Sequence, residues 1–299
     1  MRNNPKALIL TVAVFLSPTA LAAEPIPQDV PVMVSTEWMS EHLGDANIVP
    51  IYVMMAHAGA PGEMIPGTVL LDYHSLEDSS GLPIELPPID ELERLFSRAG
   101  VGPNTHVVVY GPAPAHQAAR AFVTLEILGH ERVSLLDGGI GAWIEEGRAT
   151  SSRPVRPAPT TFEAQINESI LVDAEWIHHR LDDAGLALVD ARPRGQFEGA
   201  TNAALRDGHI PGAGNIFYGE FLEEEAVHRL KPETEVQALL AAAGVDPGDT
   251  FVSYCQIAMR ASYNYVVARH LGYDVKFYDG SWADWGRRPD LPTETGPAR

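Results

Sequence analysis

Short apolar runs that do not alternate with polar residues recur along the chain. HVVVY at 106–110, LALVD at 186–190 and VKFYD at 275–279 are rich in β-formers, as expected of strands buried on both faces. Between such runs the apolar period changes to that of a helix. Leu92, Leu95 and Phe96 fall on one face after Asp90, an expected N-cap, with Gly100 at the far end. Val236, Leu239 and Leu240 do the same after Thr234, with Gly244 closing the segment. A further helix is expected from Asp173 to Asp183. The alternation predicts an α/β fold in which mainly parallel central sheets are flanked by helices. Ligands of such sheets sit beyond the carboxyl ends of the strands, which directs attention to the loops after Tyr110 and Tyr254.

The pattern is written twice. Ala99-Gly100-Val101-Gly102-Pro103 returns as Ala243-Gly244-Val245-Asp246-Pro247, and each is followed by an apolar run ending in tyrosine. Leu128-Gly129-His130 corresponds to Leu271-Gly272-Tyr273, VSLLDGGIGAW (133–143) to VKFYDGSWADW (275–285), and MIPGTVLLD (64–72) to HIPGAGNIF (209–217). Landmarks kept in the same order indicate a tandem duplication. GRATSSRPVRPAPTTF (147–162) holds three prolines, which favour an extended connection. The expected organisation is a first domain at 23–147, a linker at 148–162 and a second domain at 163–299.

Residues 1–22 read as a secretory leader. Arg2 and Lys6 precede the apolar stretch Ala7 to Leu16, and Ala20-Leu21-Ala22 offers the small-x-small cleavage pattern. The stretch is shorter than the about 20 residues of a membrane-spanning helix. A periplasmic or secreted location is expected, with no membrane span in the mature chain. Lys+Arg 21 against Asp+Glu 40 gives a net charge of −19, which disfavours nucleic acid as a partner. A single cysteine excludes an internal disulfide framework. The His178-His179 pair points two ways from one helix, poor geometry for a shared metal.

The two copies differ where chemistry is expected. After Tyr254 the chain reads Cys255-Gln256-Ile257-Ala258-Met259-Arg260 and then turns helical. A cysteine between a buried strand and a helix N-terminus meets free backbone amides and the positive end of the dipole, which favour thiolate. Amides from Gln256 to Arg260 are placed to surround the sulfur, and Arg260 adds a fixed charge for an anion. The first copy has Gly111-Pro112-Ala113-Pro114-Ala115-His116 there and no nucleophile. Cysteine phosphatases use Cys-x5-Arg, whereas this spacing is Cys-x4-Arg, with Ala261 in the x5 position.

With LVDARPRGQFEG (188–199), GHIPGAGNI (208–216), YCQIAMRAS (254–262) and YDGSWADW (278–285), the chain resembles the tandem-domain rhodanese family of thiosulfate and 3-mercaptopyruvate sulfurtransferases. The first half joins through IPG (65–67) and SLLDGGIGAW (134–143). The resemblance implies two rhodanese-like domains, the first silent and the second catalytic. It implies that Cys255 carries a persulfide held by Gln256, Ile257, Ala258, Met259 and Arg260. Arg192 and Arg194 are further candidates for substrate binding, and Asp190, His209 and Ser281 for loop support. No cofactor or metal is implied; the partners are a small anionic sulfur donor and a thiophilic acceptor such as cyanide or a thiol. Gln256 and Ile257 stand where thiosulfate enzymes of the family carry basic residues, and Gln196 where a second arginine is usual, with Arg194 as its possible substitute. The Cys-Gly-Ser/Thr-Gly-Val-Thr loop of mercaptopyruvate enzymes is not matched. Thiosulfate is the expected donor; 3-mercaptopyruvate turnover or a non-catalytic persulfide carrier are the alternatives.

Overall fold

The structure is a computed structural model and describes residues 30–78, 85–201, 206–224 and 227–297. The leader read at 1–22 lies outside these residues. Two sheets, one in each half of the chain, are built only from parallel pairs. The first comprises β1 (Met33–Val34), β2 (Ile48–Met54), β3 (Val69–Asp72), β4 (His106–Tyr110) and β5 (Val133–Leu136), in the order β1-β5-β4-β2-β3. The second comprises β6 (Leu186–Asp190), β7 (Gly214–Asn215), β8 (Thr250–Tyr254) and β9 (Asp274–Phe277), in the order β7-β6-β8-β9. The order is the same in both once β3, β2, β4 and β5 are matched to β7, β6, β8 and β9. The place of β1 is taken in the second half by a single parallel bridge, Leu171 to Phe277.

The helices that bear on the site are α1 (Thr36–His42), α2 (Ile89–Arg98), α3 (His116–Ile127), α4 (Gly139–Glu145), α5 (Ala174–His178), α6 (Arg194–Phe197), α7 (Glu233–Ala242), α8 (Met259–His270) and α9 (Ser281–Trp285). Neither expected cap holds. Pro88 and Pro232 occupy the N-cap positions of α2 and α7, and Asp90 and Thr234 already lie inside the first turn. A proline's fixed φ sets the entry to the helix, and first-turn acids such as Asp90 and Glu233 complement the dipole instead. The helix expected over 173–183 stops at His178; Asp173 does cap it, accepting the Trp176 N–H at 2.7 Å. No helix among the described residues is long and apolar enough to cross a membrane.

The shared motifs make matching contacts. In each half the isoleucine of the IPG turn donates its N–H to the tyrosine ending the central strand: Ile65 to Tyr110 at 3.0 Å and Ile210 to Tyr254 at 3.1 Å. Helices α3 and α8 pack against each other, and one apolar core runs through that contact, including Phe122, Val123, Val266 and Val267. Separate clusters around Trp143 and around Trp282 and Trp285 fill the outer faces of the two sheets. The two halves therefore share a core, and the strand ends of both sheets meet near the N-termini of α3 and α8.

Candidate active site

Strand β8 ends at Tyr254 and α8 begins at Met259, so Cys255 to Ala258 form the turn between them. Ala258 caps the helix at φ 63°, a left-handed conformation uncommon for a residue with a Cβ. Cys255 is 1% exposed. The N–H groups of Ile257, Arg260 and Ala261 are directed at its sulfur. This corrects the expected ring of amides: the Ala258 N–H is taken by Ser281 Oγ at 3.1 Å and the Met259 N–H by the Ile257 carbonyl at 2.8 Å. Burial pushes the Cys255 thiol up, and the three amides and the Arg260 guanidinium pull it down by less. The expected net lowering is thus reversed, because a sulfur withdrawn from water loses more solvation than the loop returns.

A cavity of about 220 Å³ opens over the cysteine, lined by Gln196, Cys255, Gln256, Ile257, Met259 and Arg260. Arg260 is the one cation in that lining and makes no ion pair among the described residues. The Oε1 atoms of Gln196 and Gln256 are buried without a hydrogen-bond partner. Arg260 also faces the other half of the chain. Its charge adds to the burial that pushes His116 down to about 4, and partly offsets the burial that raises Tyr218, whose ring lies 5.0 Å from the His116 ring.

Arg192 and Arg194 do not line this cavity. Arg192 is buried and turned back onto Asp190, with Nη2 to Oδ2 at 2.7 Å, and onto the Gly208 carbonyl at 2.6 Å; its guanidinium lies 4.6 Å from the Trp282 ring. Asp190 is fully buried, so its carboxylate demands a partner and claims the nearest guanidinium. Arg194 is 76% exposed and bonds Glu198 one turn on. Gln196, where the second arginine is usual, itself reaches the cavity. His209 is buried, stacked 3.6 Å from Phe197, and bonded through Nδ1 to the Phe197 carbonyl at 2.8 Å. Burial pushes it down, so it stays neutral.

Ser281 Oγ accepts from the Cys255 and Ala258 N–H groups at 3.3 and 3.1 Å and donates to the Tyr278 carbonyl at 3.0 Å. The Trp282 and Ala283 N–H groups bond the Cys255 and Gln256 carbonyls at 2.9 and 3.1 Å. The turn before α9 is thus laced along the cysteine loop. The first half was expected only as a scaffold and cleft wall; the residues it sends here, Tyr73 and His116, which interact electrostatically with Cys255 and Arg260, and Arg120, paired with Asp279, carry no local pattern that marks them. His178 and His179 lie at the end of α5 with rings 5.9 Å apart, away from the cavity lining.

A buried cysteine on a strand-to-helix turn, ringed by amides and set in a duplicated parallel α/β fold, defines a class, and comparison with known proteins agrees. The rhodanese-like domain matches residues 35–146 and again 173–288, and the chain belongs to the rhodanese family. It is 29% identical over 268 residues to the thiosulfate sulfurtransferase of Pseudomonas aeruginosa, covering 89% of this chain and 98% of that one. It is 30% identical over 275 residues to the 3-mercaptopyruvate sulfurtransferase of Escherichia coli, covering 87% and 97%. The crystal structure of an Escherichia coli 3-mercaptopyruvate sulfurtransferase superposes with a TM-score of 0.74 at 28% identity, over 84% of this chain and 99% of that one. A Chlorobium limicola enzyme of anaerobic ergothioneine biosynthesis shares the fold, with a TM-score of 0.80 at 24% identity over 89% and 70% of the two chains. The chain is a sulfurtransferase by family; the named relatives divide between two donors.

Proposed function

We propose that the protein is a thiosulfate sulfurtransferase working through a Cys255 persulfide. The Cys255 thiol gives its proton to solvent, and the thiolate attacks the outer sulfur of thiosulfate. An S–S bond forms on Sγ, the bond from that sulfur to the sulfonate breaks, and sulfite leaves with the electron pair. Cyanide or a thiolate then attacks the terminal sulfur, the new S–S bond breaks, and the cysteine thiolate is regenerated. Arg260 offsets the repulsion between thiolate and anionic donor, and the N–H groups of Ile257, Arg260 and Ala261 hold the charge on sulfur. The first half acts as a silent scaffold, with Gly111 in the position of the nucleophile. Removal of residues 1–22 places the domains at 23–147 and 163–299 in the periplasm.

The observation that carries this reading is the placement of the sole cysteine under the cavity with Arg260 beside it. A second reading, 3-mercaptopyruvate as donor, is favoured by the lining itself: one guanidinium and two carboxamides suit a monoanion with hydrogen-bonding groups as well as a dianion. Intact mass after exposure to each donor decides. A gain of one sulfur atom from thiosulfate, discharged by cyanide and absent in Cys255→Ser, is expected. A gain only from 3-mercaptopyruvate would transfer the reading to that donor, and no gain from either would leave a carrier loaded by another protein.

A further inference from the structure

The contact between the halves has an approximate two-fold relation that is broken at three places, all beside Cys255. Asp137 and Asp279 are equivalent residues, each ending the apolar run that precedes α4 or α9. Each accepts a backbone N–H from the opposite half: Asp137 from Leu230 at 2.8 Å, Asp279 from Leu86 at 3.1 Å. After each aspartate the equivalent backbone bonds recur, with Ile140 N–H to the Gly111 carbonyl at 3.1 Å and Trp282 N–H to the Cys255 carbonyl at 2.9 Å.

The differences are Gly111 against Cys255, Gly139 against Ser281, and the residue that faces each aspartate across the contact. Gly139 and Ser281 share a left-handed φ, 54° and 52°, although the glycines before them differ, Gly138 at φ 69° and Gly280 at φ −57°. Glycine adopts that conformation freely, whereas serine pays in strain, which is tolerated where the side chain is needed. Its hydroxyl is what the Cys255 and Ala258 N–H groups bond. Opposite the aspartates stand the fifth residues of α8 and α3. Tyr263 of α8 feels the charge of Asp137. Arg120 of α3, 1% exposed, places Nη1 2.5 Å from Asp279 Oδ1. Arg120 and Cys255 both act electrostatically on Tyr73.

We propose that Arg120, in the half without a nucleophile, is a positioning residue for Cys255: it fixes Asp279, which fixes Ser281, which holds the cysteine loop with its amides on the sulfur. This rests on the sulfurtransferase reading for its role in turnover, but the loop geometry can be tested without any donor. The direct readout is the pH dependence of Cys255 alkylation by iodoacetamide on the full chain, beside intact-mass loading from thiosulfate and thermal unfolding.

Arg120→Met is expected to move the alkylation midpoint up by about one pH unit and slow loading about tenfold, because a loosened loop withdraws amides from the thiolate. Arg120→Lys restores part of both. Ser281→Gly, which suits the φ of 52° at this position, gives the same shift with unfolding temperature retained. The Arg120→Met/Ser281→Gly double variant is no worse than the larger single. A wild-type midpoint in Arg120→Met, or effects that add in the double variant, would overturn the proposal. Should Arg120→Met not fold, Asp279→Asn interrupts the same chain, and a wild-type midpoint there counts against it equally. A wild-type protein that alkylates as described yet takes no sulfur from thiosulfate would sink the donor assignment and leave the positioning role standing.

Discussion

At the scale of single residues, the site rests on one thiol and one free cation. Burial raises the Cys255 thiol, so at neutral pH the thiolate is the minor form, and the proposed loading of this sulfur would wait for ionisation. The sign follows: loading from thiosulfate should climb with pH and keep climbing past the pH of about 8.5 at which an unperturbed cysteine is half ionised. Arg260→Ala removes a charge that favours both thiolate and donor. The expected outcome is a KM for thiosulfate raised about tenfold, equivalent to about 1.4 kcal/mol, with the loading curve displaced to higher pH. Stopped-flow loading across pH checks both, and an unchanged KM would move donor binding away from Arg260. The cysteine and this arginine were legible because a single cysteine, a strand end and a helix start occur together in sequence. Arg192 and Arg194 were not legible. Which way a guanidinium turns depends on Asp190, buried two residues before Arg192, and on Glu198, one turn beyond Arg194.

At the scale of elements, the loop between β8 and α8 depends on a left-handed residue. Ala258 at φ 63° lets the chain reverse so that the next amides converge on the sulfur. A β-branched side chain is a true outlier in that conformation. Ala258→Val should cost about 1–2 kcal/mol and slow loading more than it lowers the unfolding temperature, since the strain falls on the loop. Ala258→Gly should fold and load close to wild type. Equal behaviour of the two variants, measured by unfolding temperature and intact-mass loading, would show that the φ at 258 does not matter. The strands were legible element by element, because HVVVY, LALVD and the run ending at Tyr254 are short, mostly apolar and not alternating, as buried parallel strands require. The helix starts were misplaced for a local reason. Asp90 and Thr234 are good caps by type, but Pro88 and Pro232 two residues earlier already set the helical entry.

At the scale of the whole molecule, the duplication was legible and the contact between its halves was not, since Arg120 and Asp279 are paired only once α3 and α8 have packed. The same packing buries histidines and so sets a response to acid. His106 is pushed down to about 4 by burial, with Arg132, His130 and His42 adding repulsion, and its Nε2 meets Ser134 Oγ at 2.8 Å. His116, at the contact itself, is also pushed down to about 4. An unfolded histidine binds its proton near pH 6.5, so these groups contribute stability above that pH and lose it progressively as the pH falls towards 4. Glu126 and Asp137 act the other way. Burial raises both, so their contribution is present at low pH and disappears as the pH rises through their folded values. Unfolding temperature should drop between pH 6.5 and 5, where His106 alone contributes about 2 kcal/mol. His106→Gln keeps a polar group facing Ser134 and removes the titration. Its unfolding temperature should vary less over that interval than that of the wild type, measured by calorimetry at fixed ionic strength. An undiminished slope would assign the acid response to His116 and the domain contact, which His116→Gln then tests, because flattening there would mean that acid acts first where the two halves meet.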